Sequence, residues 1–348
     1  MDDLQLLREM RSDVGSAPPA ALARGRKSLM SRISHSSPKE AQPTLRPIRL
    51  RRRLLFASAA AALIAGGVVV ADVVRPGAPG ATADAAEVLN NAAAVTIRTT
   101  DPVLAPGQYL KIETKELTAS GAQTSDGDQV NWQETTGGQV YIPANRDEEW
   151  VWHREPRVPV ESASAKAKAL AAEMAATMQR MPEGQPPVVG IVRAKGGAFY
   201  GNDPVAIIGT PLKDANELPK DPRALLDVIY ERTKGAGKNP GSEAFVTIAD
   251  GLRTGVVPAG LRAALYKAAA LIPGVTLSDR RATIDGRTGT AIGIPSPDGA
   301  ERTEIIIDPE SGLVIGEQSV LLKDYPGSPA GTVVGWTSVR TSVVDSAP

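Results

Sequence analysis

Arg49, Arg51, Arg52 and Arg53 run directly into residues 54–74, a stretch rich in Ala, Val and Leu whose one charge is Asp72 near its far end. At ~1.5 Å rise per residue, a helix of that length covers about 30 Å, one hydrocarbon core. The stretch has no polar face, so it reads as a transmembrane helix rather than as the outer helix of a soluble bundle. Basic residues are retained on the cytoplasmic side, which puts the N-terminus inside and everything past about residue 76 outside. The rival reading is a cleaved signal, since Ala81-Thr82-Ala83 fits a small-x-small cleavage site. Against it, the apolar run begins only after 53 residues. The expected organisation is a basic cytoplasmic tail (1–53), a single span (54–74), a linker (75–82) and an extracytoplasmic domain (83–348).

The zero net charge conceals an asymmetry that agrees with this topology. Residues 1–53 carry 12 Lys/Arg against 5 Asp/Glu, so the rest carries 27 against 34 of the 39 of each sign. A basic tail suits an anionic inner leaflet. Nucleic-acid binding is the less economical explanation of these arginines, because topology already requires them. Ser58, Ala62 and Gly66 form a small-xxx-small stripe that would let two spans approach in a homodimer.

Within the tail, Leu4, Leu7, Met10 and Val14 recur at helical spacing, and after Pro18-Pro19 so do Leu22, Leu29, Met30 and Ile33. Two short amphipathic helices bury little alone and need a surface. Leu4, Leu7, Leu29 and Ile33 are the expected face for a cytoplasmic partner, with the membrane surface and a weakly ordered tail as alternatives. The chain has no cysteine, which excludes a disulfide framework, a lipidated cysteine and a Cys-ligated zinc site.

The outer part opens with a helix over 84–95. Alternating apolar and polar residues predict strands over 108–115, 128–142 and 149–158, with Trp150 and Trp152 on one face. Helices follow: 162–181 with Leu170, Met174, Met178 and Met181 in a stripe; one capped by Asp221-Pro222; one through Phe245, Ile248 and Leu252; and one opened by Pro258. The end is all strand. Residues 275–284 and 287–294 pair across Asp285-Gly286, residues 303–307 and 313–323 across Asp308-Pro309-Glu310-Ser311-Gly312, and 332–344 close the chain. Helix, strands, helices, strands is the signature of an α+β fold with a mostly antiparallel sheet.

This order, with Asp308-Pro309-Glu310-Ser311-Gly312 between two late strands, resembles the periplasmic lipoprotein-carrier and anti-sigma-cofactor fold. The resemblance implies a curved antiparallel sheet wrapped around helices with an apolar cavity. The chain as a whole resembles an actinobacterial family of single-pass membrane proteins of uncharacterised function. The residues behind that resemblance are Leu218-Pro219, Asp221-Pro222, Ala224-Leu225-Leu226, Val257-Pro258, Leu261-Arg262-Ala263-Ala264-Leu265-Tyr266, Pro273-Gly274-Val275, Asp285-Gly286-Arg287 and Gly289. It implies a sigma factor as one cytoplasmic partner, although this tail lacks the Cys of the familiar zinc-binding anti-sigma motif.

Little in the chain carries catalytic chemistry. His35 lies in the linker of the tail and His153 beside Trp152 in a strand, too few for a histidine metal site. No nucleophile-elbow sequence accompanies His153. Gly235-Ala236-Gly237-Lys238 is followed by Asn239, not Ser or Thr, and reads as a turn rather than a phosphate loop. The expectation is therefore a protein without enzymatic activity, cofactor or metal. The first functional reading is a membrane-anchored sensor or regulator that binds an apolar ligand or protein outside and a sigma factor inside. The alternative is a tethered carrier or scaffold for envelope lipids or lipoproteins. Trp150 and Trp152 facing Met174 and Met178 are the candidate ligand site, with ordinary core packing as the alternative.

Overall fold

The structure, a computed structural model, describes residues 80–99, 101–124, 127–161, 163–179, 188–199, 205–237, 239–325 and 328–348. The predicted span, the tail face and the four arginines lie outside these residues. Among the described residues no helix is long and apolar enough to cross a membrane.

In chain order the elements are α1 (Ala83–Arg98), β1 (Tyr109–Gln123), β2 (Gln129–Pro143), β3 (Glu149–Arg154), β4 (Val158–Pro159), α2 (Ala165–Gln179), β5 (Gly190–Lys195), β6 (Ala206–Ile207) and β7 (Thr210–Pro211). After a 3₁₀ turn (Leu212–Glu217) come α3 (Pro222–Arg232), α4 (Pro240–Arg253), α5 (Ala259–Ala269), β8 (Thr276–Ile284), β9 (Arg287–Pro295), β10 (Glu301–Ile307), β11 (Val314–Leu321) and β12 (Val333–Val344). The fold is α+β, with one large antiparallel sheet in the order β5-β3-β2-β1-β12-β11-β10-β9-β8 and β4 beside β2.

The sheet alternation sorts residues onto two faces. Leu110, Ile112, Ile142, Trp150, Val192, Ile292, Ile294, Ile305, Ile307 and Val339 face the helices and join their Leu89, Leu226, Phe245 and Leu265 in the main core. Ile306 points the opposite way, into a second cluster with Ala282, Ile284, Ala291, Ile315 and Trp336. Three consecutive isoleucines in β10 thus require cover on both faces of the sheet there.

That second cover comes from the sheet itself. Irregular register in β8 after Leu277 and again after Asp279 bends the β8–β9 hairpin. Its turn has φ 45° at Asp285 and 74° at Gly286, as a two-residue type I′ turn demands. The bent hairpin lays Ile284 over Gly316, where any Cβ would stand 2.4 Å from Ile284 Cδ1.

Helix α5 is the hub of the helical layer, packing on α1, α3 and α4. It is apolar nearly all round, with Lys267 alone of residues 261–269 not buried, the pattern of a core helix rather than a surface one. The Tyr266 hydroxyl donates to Gly312 O at 2.8 Å, and Thr96 Oγ1 donates to the same oxygen at 3.0 Å. These two buried bonds fasten α5 and α1 to the β10–β11 turn. Helix α3 starts as expected, with Asp221 accepting from Ala224 N, and α4 starts the same way, with Asn239 accepting from Gly241 N and Ser242 N, each cap followed by proline.

Three differences from the sequence expectation stand out. Strand β1 runs on to Gln123 because β2 pairs with it along its full length. The stretch predicted over 149–158 divides into β3 and β4, which both pair with β2. Strands β5, β6 and β7 follow α2, where only helices were expected.

Candidate functional site

A cleft of about 360 Å³ opens at one end of the sheet, lined from several places in the chain. Its floor includes Leu110 and Ile142, cross-strand neighbours on β1 and β2. One wall is the segment after α1, with Asp101, Pro102, Val103 and Leu104; another is Pro143, Ala144 and Arg146 after β2. Gly255, Val256 and Val257 between α4 and α5 form the third, and Ser311 and Leu313 of the β10–β11 turn close it. Gly255 has φ +71°, and a Cβ there would sit 3.1 Å from Thr341 Cγ2, so this connection runs against the sheet.

The segment after α1 is held at both ends and runs through Asp101 and then the apolar residues 102–106 between them. Thr99 Oγ1 donates to Ser311 O at 3.1 Å, and Gln108 Nε2 to Asp345 Oδ1 at 2.9 Å. Leu104 packs against the main core, whereas Val103 is 93% exposed.

The polar centre of the cleft is Arg262, 6% exposed on α5. Its Nη1 donates to Val257 O and its Nη2 to Asp101 Oδ1, both at 2.8 Å. Asp101 Oδ2 accepts from Ala259 N at 2.8 Å, so this carboxylate also caps α5 from 158 residues away. The Nε of Arg262 is buried without a hydrogen-bond partner. One turn on, burial pushes the Tyr266 phenol well above its usual range, opposed by the Arg262 charge.

Trp150 is buried in the main core, and its Nε1 donates to Arg146 O at 2.8 Å, which fixes one wall of the cleft from behind. Trp152 is half-buried, edge-on to Phe199 with ring centroids 5.3 Å apart and with the Arg154 guanidinium 4.5 Å from its ring centre. Met174 is half-buried on α2, whose main sheet neighbours are β2 and β4 rather than β3. The Met178 side chain lies outside the described residues. Neither tryptophan nor Met174 is among the residues that line the cleft.

Asp101 and Arg262, the residues that do form its polar centre, were not singled out as site residues from the sequence. One signal was present: Arg262 is a lone charge inside Leu261–Tyr266, where a core helix has no room for an unpaired one. Its partner could not be read, because Asp101 is 161 residues away.

His153 Nδ1 lies 2.9 Å from Gln139 Oε1, and Gln139 Nε2 donates to Glu155 Oε1 at 2.8 Å. This is a cross-strand polar ladder on the face away from the helices. Among the described residues no group of His, Asp and Glu is arranged to hold a metal ion. Gly235, with φ +78°, lies in a turn after α3, as its sequence suggested.

No family model matches the chain, and no curated protein matches it. Among solved structures, a DUF1329 family protein from Desulfovibrio piger is similar at 7% identity with a TM-score of 0.16, over 74% of this chain and 92% of that one. A likeness at that score carries no argument about function.

Proposed function

We propose that this chain is a membrane-tethered binding protein that holds a small apolar ligand, or the apolar end of a larger one, in the cleft between Val103, Leu110, Ile142 and Val256. The observation behind this reading is the cleft: concave, lined mainly by aliphatic side chains with Thr99, Arg146, Ser311 and Thr341 among them, and supplied with one buried charge, Arg262. Its volume of about 360 Å³ falls at the lower end of small-molecule sites, ~300–1,000 Å³. The reading is non-enzymatic. Both carboxylate oxygens of Asp101 are already committed, to Ala259 N and to Arg262, which leaves it no lone proton-transfer role. In this reading residues 54–74 are the tether, the tail is cytoplasmic and residues 80–348 work outside the membrane, as a carrier or scaffold for envelope lipids or lipoproteins. A signalling version would add a sigma factor on Leu4, Leu7, Leu29 and Ile33, and no described residue favours that addition.

The test is binding of decanol, an uncharged apolar probe, to the full-length chain and to Ala144→Trp. Ala144 is exposed at the cleft wall, so the indole fills the cleft without entering the core. The expected result is at least a tenfold loss of affinity with the melting temperature unchanged. Equal binding by both proteins would remove the cleft from the function. For the tether, deletion of residues 54–74 is expected to move the protein from the membrane pellet to the soluble fraction.

A further inference from the structure

We infer that the cleft takes ligands that carry a carboxylate on an apolar body, and that Asp101 occupies the carboxylate position until the ligand arrives. The inference rests on the binding reading above and names the chemistry of its ligand. Arg262 presents five N–H donors in a planar fork that suits a carboxylate bidentately. Asp101 does not use it so: one oxygen reaches Nη2 and the other turns away to the backbone N–H of Ala259. Nε stays unpartnered in a side chain more than nine-tenths buried, on a residue that lines the cleft. A buried donor without a partner is costly, so a carboxylate that engaged Nε and Nη2 together would gain what Asp101 forgoes.

The geometry also gives Asp101 a way out. Its side chain is 44% exposed while that of Arg262 is 7% exposed. Asp101 belongs to the same segment as the exposed Val103, whose anchors are at Thr99 and Gln108 on either side. Displaced, Asp101 re-enters water at little cost, whereas Arg262 cannot leave and needs an anion. The first turn of α5, losing its cap at Ala259 N, would receive the partial charge of the incoming carboxylate instead. The exchange is one carboxylate for another at a fixed buried cation, so no covalent bond is made or broken. A free fatty acid and the C-terminus of an apolar peptide share this chemistry.

The experiment compares decanoate with decanol on the full-length chain, and a blocked tri-leucine acid with its amide. The expected result is that decanoate binds at least tenfold tighter than decanol. Asp101→Asn keeps a carbonyl oxygen for the α5 cap but weakens the competitor, and is expected to raise the preference for decanoate over decanol severalfold. Arg262→Lys keeps the charge but loses the two-donor fork, and is expected to shrink the preference for decanoate severalfold without abolishing it; melting temperatures show that both variants are folded. A preference for decanoate over the peptide acid, or the reverse, assigns the source of the carboxylate. Equal binding of decanoate and decanol by the wild type and by Asp101→Asn would overturn the carboxylate inference and leave the apolar cleft standing. Failure of both probes to bind would overturn both.

Discussion

Lys115 Nζ lies 3.1 Å from Asp285 Oδ1, although β12, β11 and β10 stand between β1 and the β8–β9 hairpin in the sheet. At ~4.8 Å per strand a flat sheet would keep β1 and β9 about 19 Å apart. The hairpin therefore curls back across the face away from the helices. Ser338 Oγ reaches Asp285 Oδ2 at 3.3 Å, and Arg287 Nη2 donates to the carbonyls of Ile315 and Val339 on the way.

Magnitudes decide what holds this curl. Lys115 is half-exposed, and exposed ion pairs contribute roughly 0–1 kcal/mol. Ile284 is buried in the second cluster, where an Ile→Ala change costs about 2–5 kcal/mol. In urea denaturation, Ile284→Ala is expected to cost several times more than Lys115→Ala. If Lys115→Ala costs as much, the ion pair and not the cluster closes the hairpin.

Gly316 is where hairpin and sheet touch. A Cβ there would meet Ile284 Cδ1 at 2.4 Å and Thr337 O at 2.7 Å, one of them rigid backbone. Gly316→Ala is expected to destabilise by ~1–3 kcal/mol through overpacking. Restoring room with Ile284→Val in the same chain is expected to recover part of it, which a double-mutant cycle measures.

Glu134 is buried on β2 and accepts from Ser120 Oγ at 2.7 Å, Arg157 Nη1 at 2.8 Å and Trp132 Nε1 at 3.0 Å. Burial alone would raise its carboxyl, but the bonds from Arg157, Ser120 and Trp132 outweigh it and hold the group below its ordinary 4.5. A depressed folded value means stability that is present above 4.5 and lost as pH falls through the folded value. Glu134→Gln is expected to lower stability by ~1–3 kcal/mol at pH 7, and the gap to wild type to shrink as the pH drops below 4.5. A gap independent of pH would assign the loss to packing.

The shared acceptor at Gly312 predicts a small, specific loss. Tyr266→Phe removes one of the two buried hydroxyl donors and leaves Thr96 to satisfy the carbonyl. The expected cost is ~0.5–1.5 kcal/mol, since that oxygen stays bonded. Gly312→Ala should cost more, because φ is +68° and a Cβ would meet Thr96 Oγ1 at 2.6 Å and Ala92 O at 2.8 Å.

The bond from Trp150 Nε1 to Arg146 O links core to cleft wall. Trp150→Phe keeps an aromatic ring but not the donor. It is expected to weaken decanol binding severalfold with a stability loss of about 1 kcal/mol. Unchanged binding would show that the 143–146 wall holds itself.

Local signals in this chain were complete where the physics is local. Asp221-Pro222 starts α3, and Asp285-Gly286 and Asp308-Pro309-Glu310-Ser311-Gly312 turn the two late hairpins, because capping and turn chemistry act within a few residues. Strands β5 to β7 were illegible: two of them are two-residue pairs, and the third exists only because β3 offers it an edge. Trp150 and Trp152 did share a face, but alternation does not say what lies opposite, and α2 packs mainly elsewhere. The tertiary structure alone decided the cleft. Asp101 meets Arg262 across 161 residues, and Lys115 meets Asp285 across 170. Such pairs are chosen by the curl of the sheet and the burial of α5, and no spacing in the sequence encodes them.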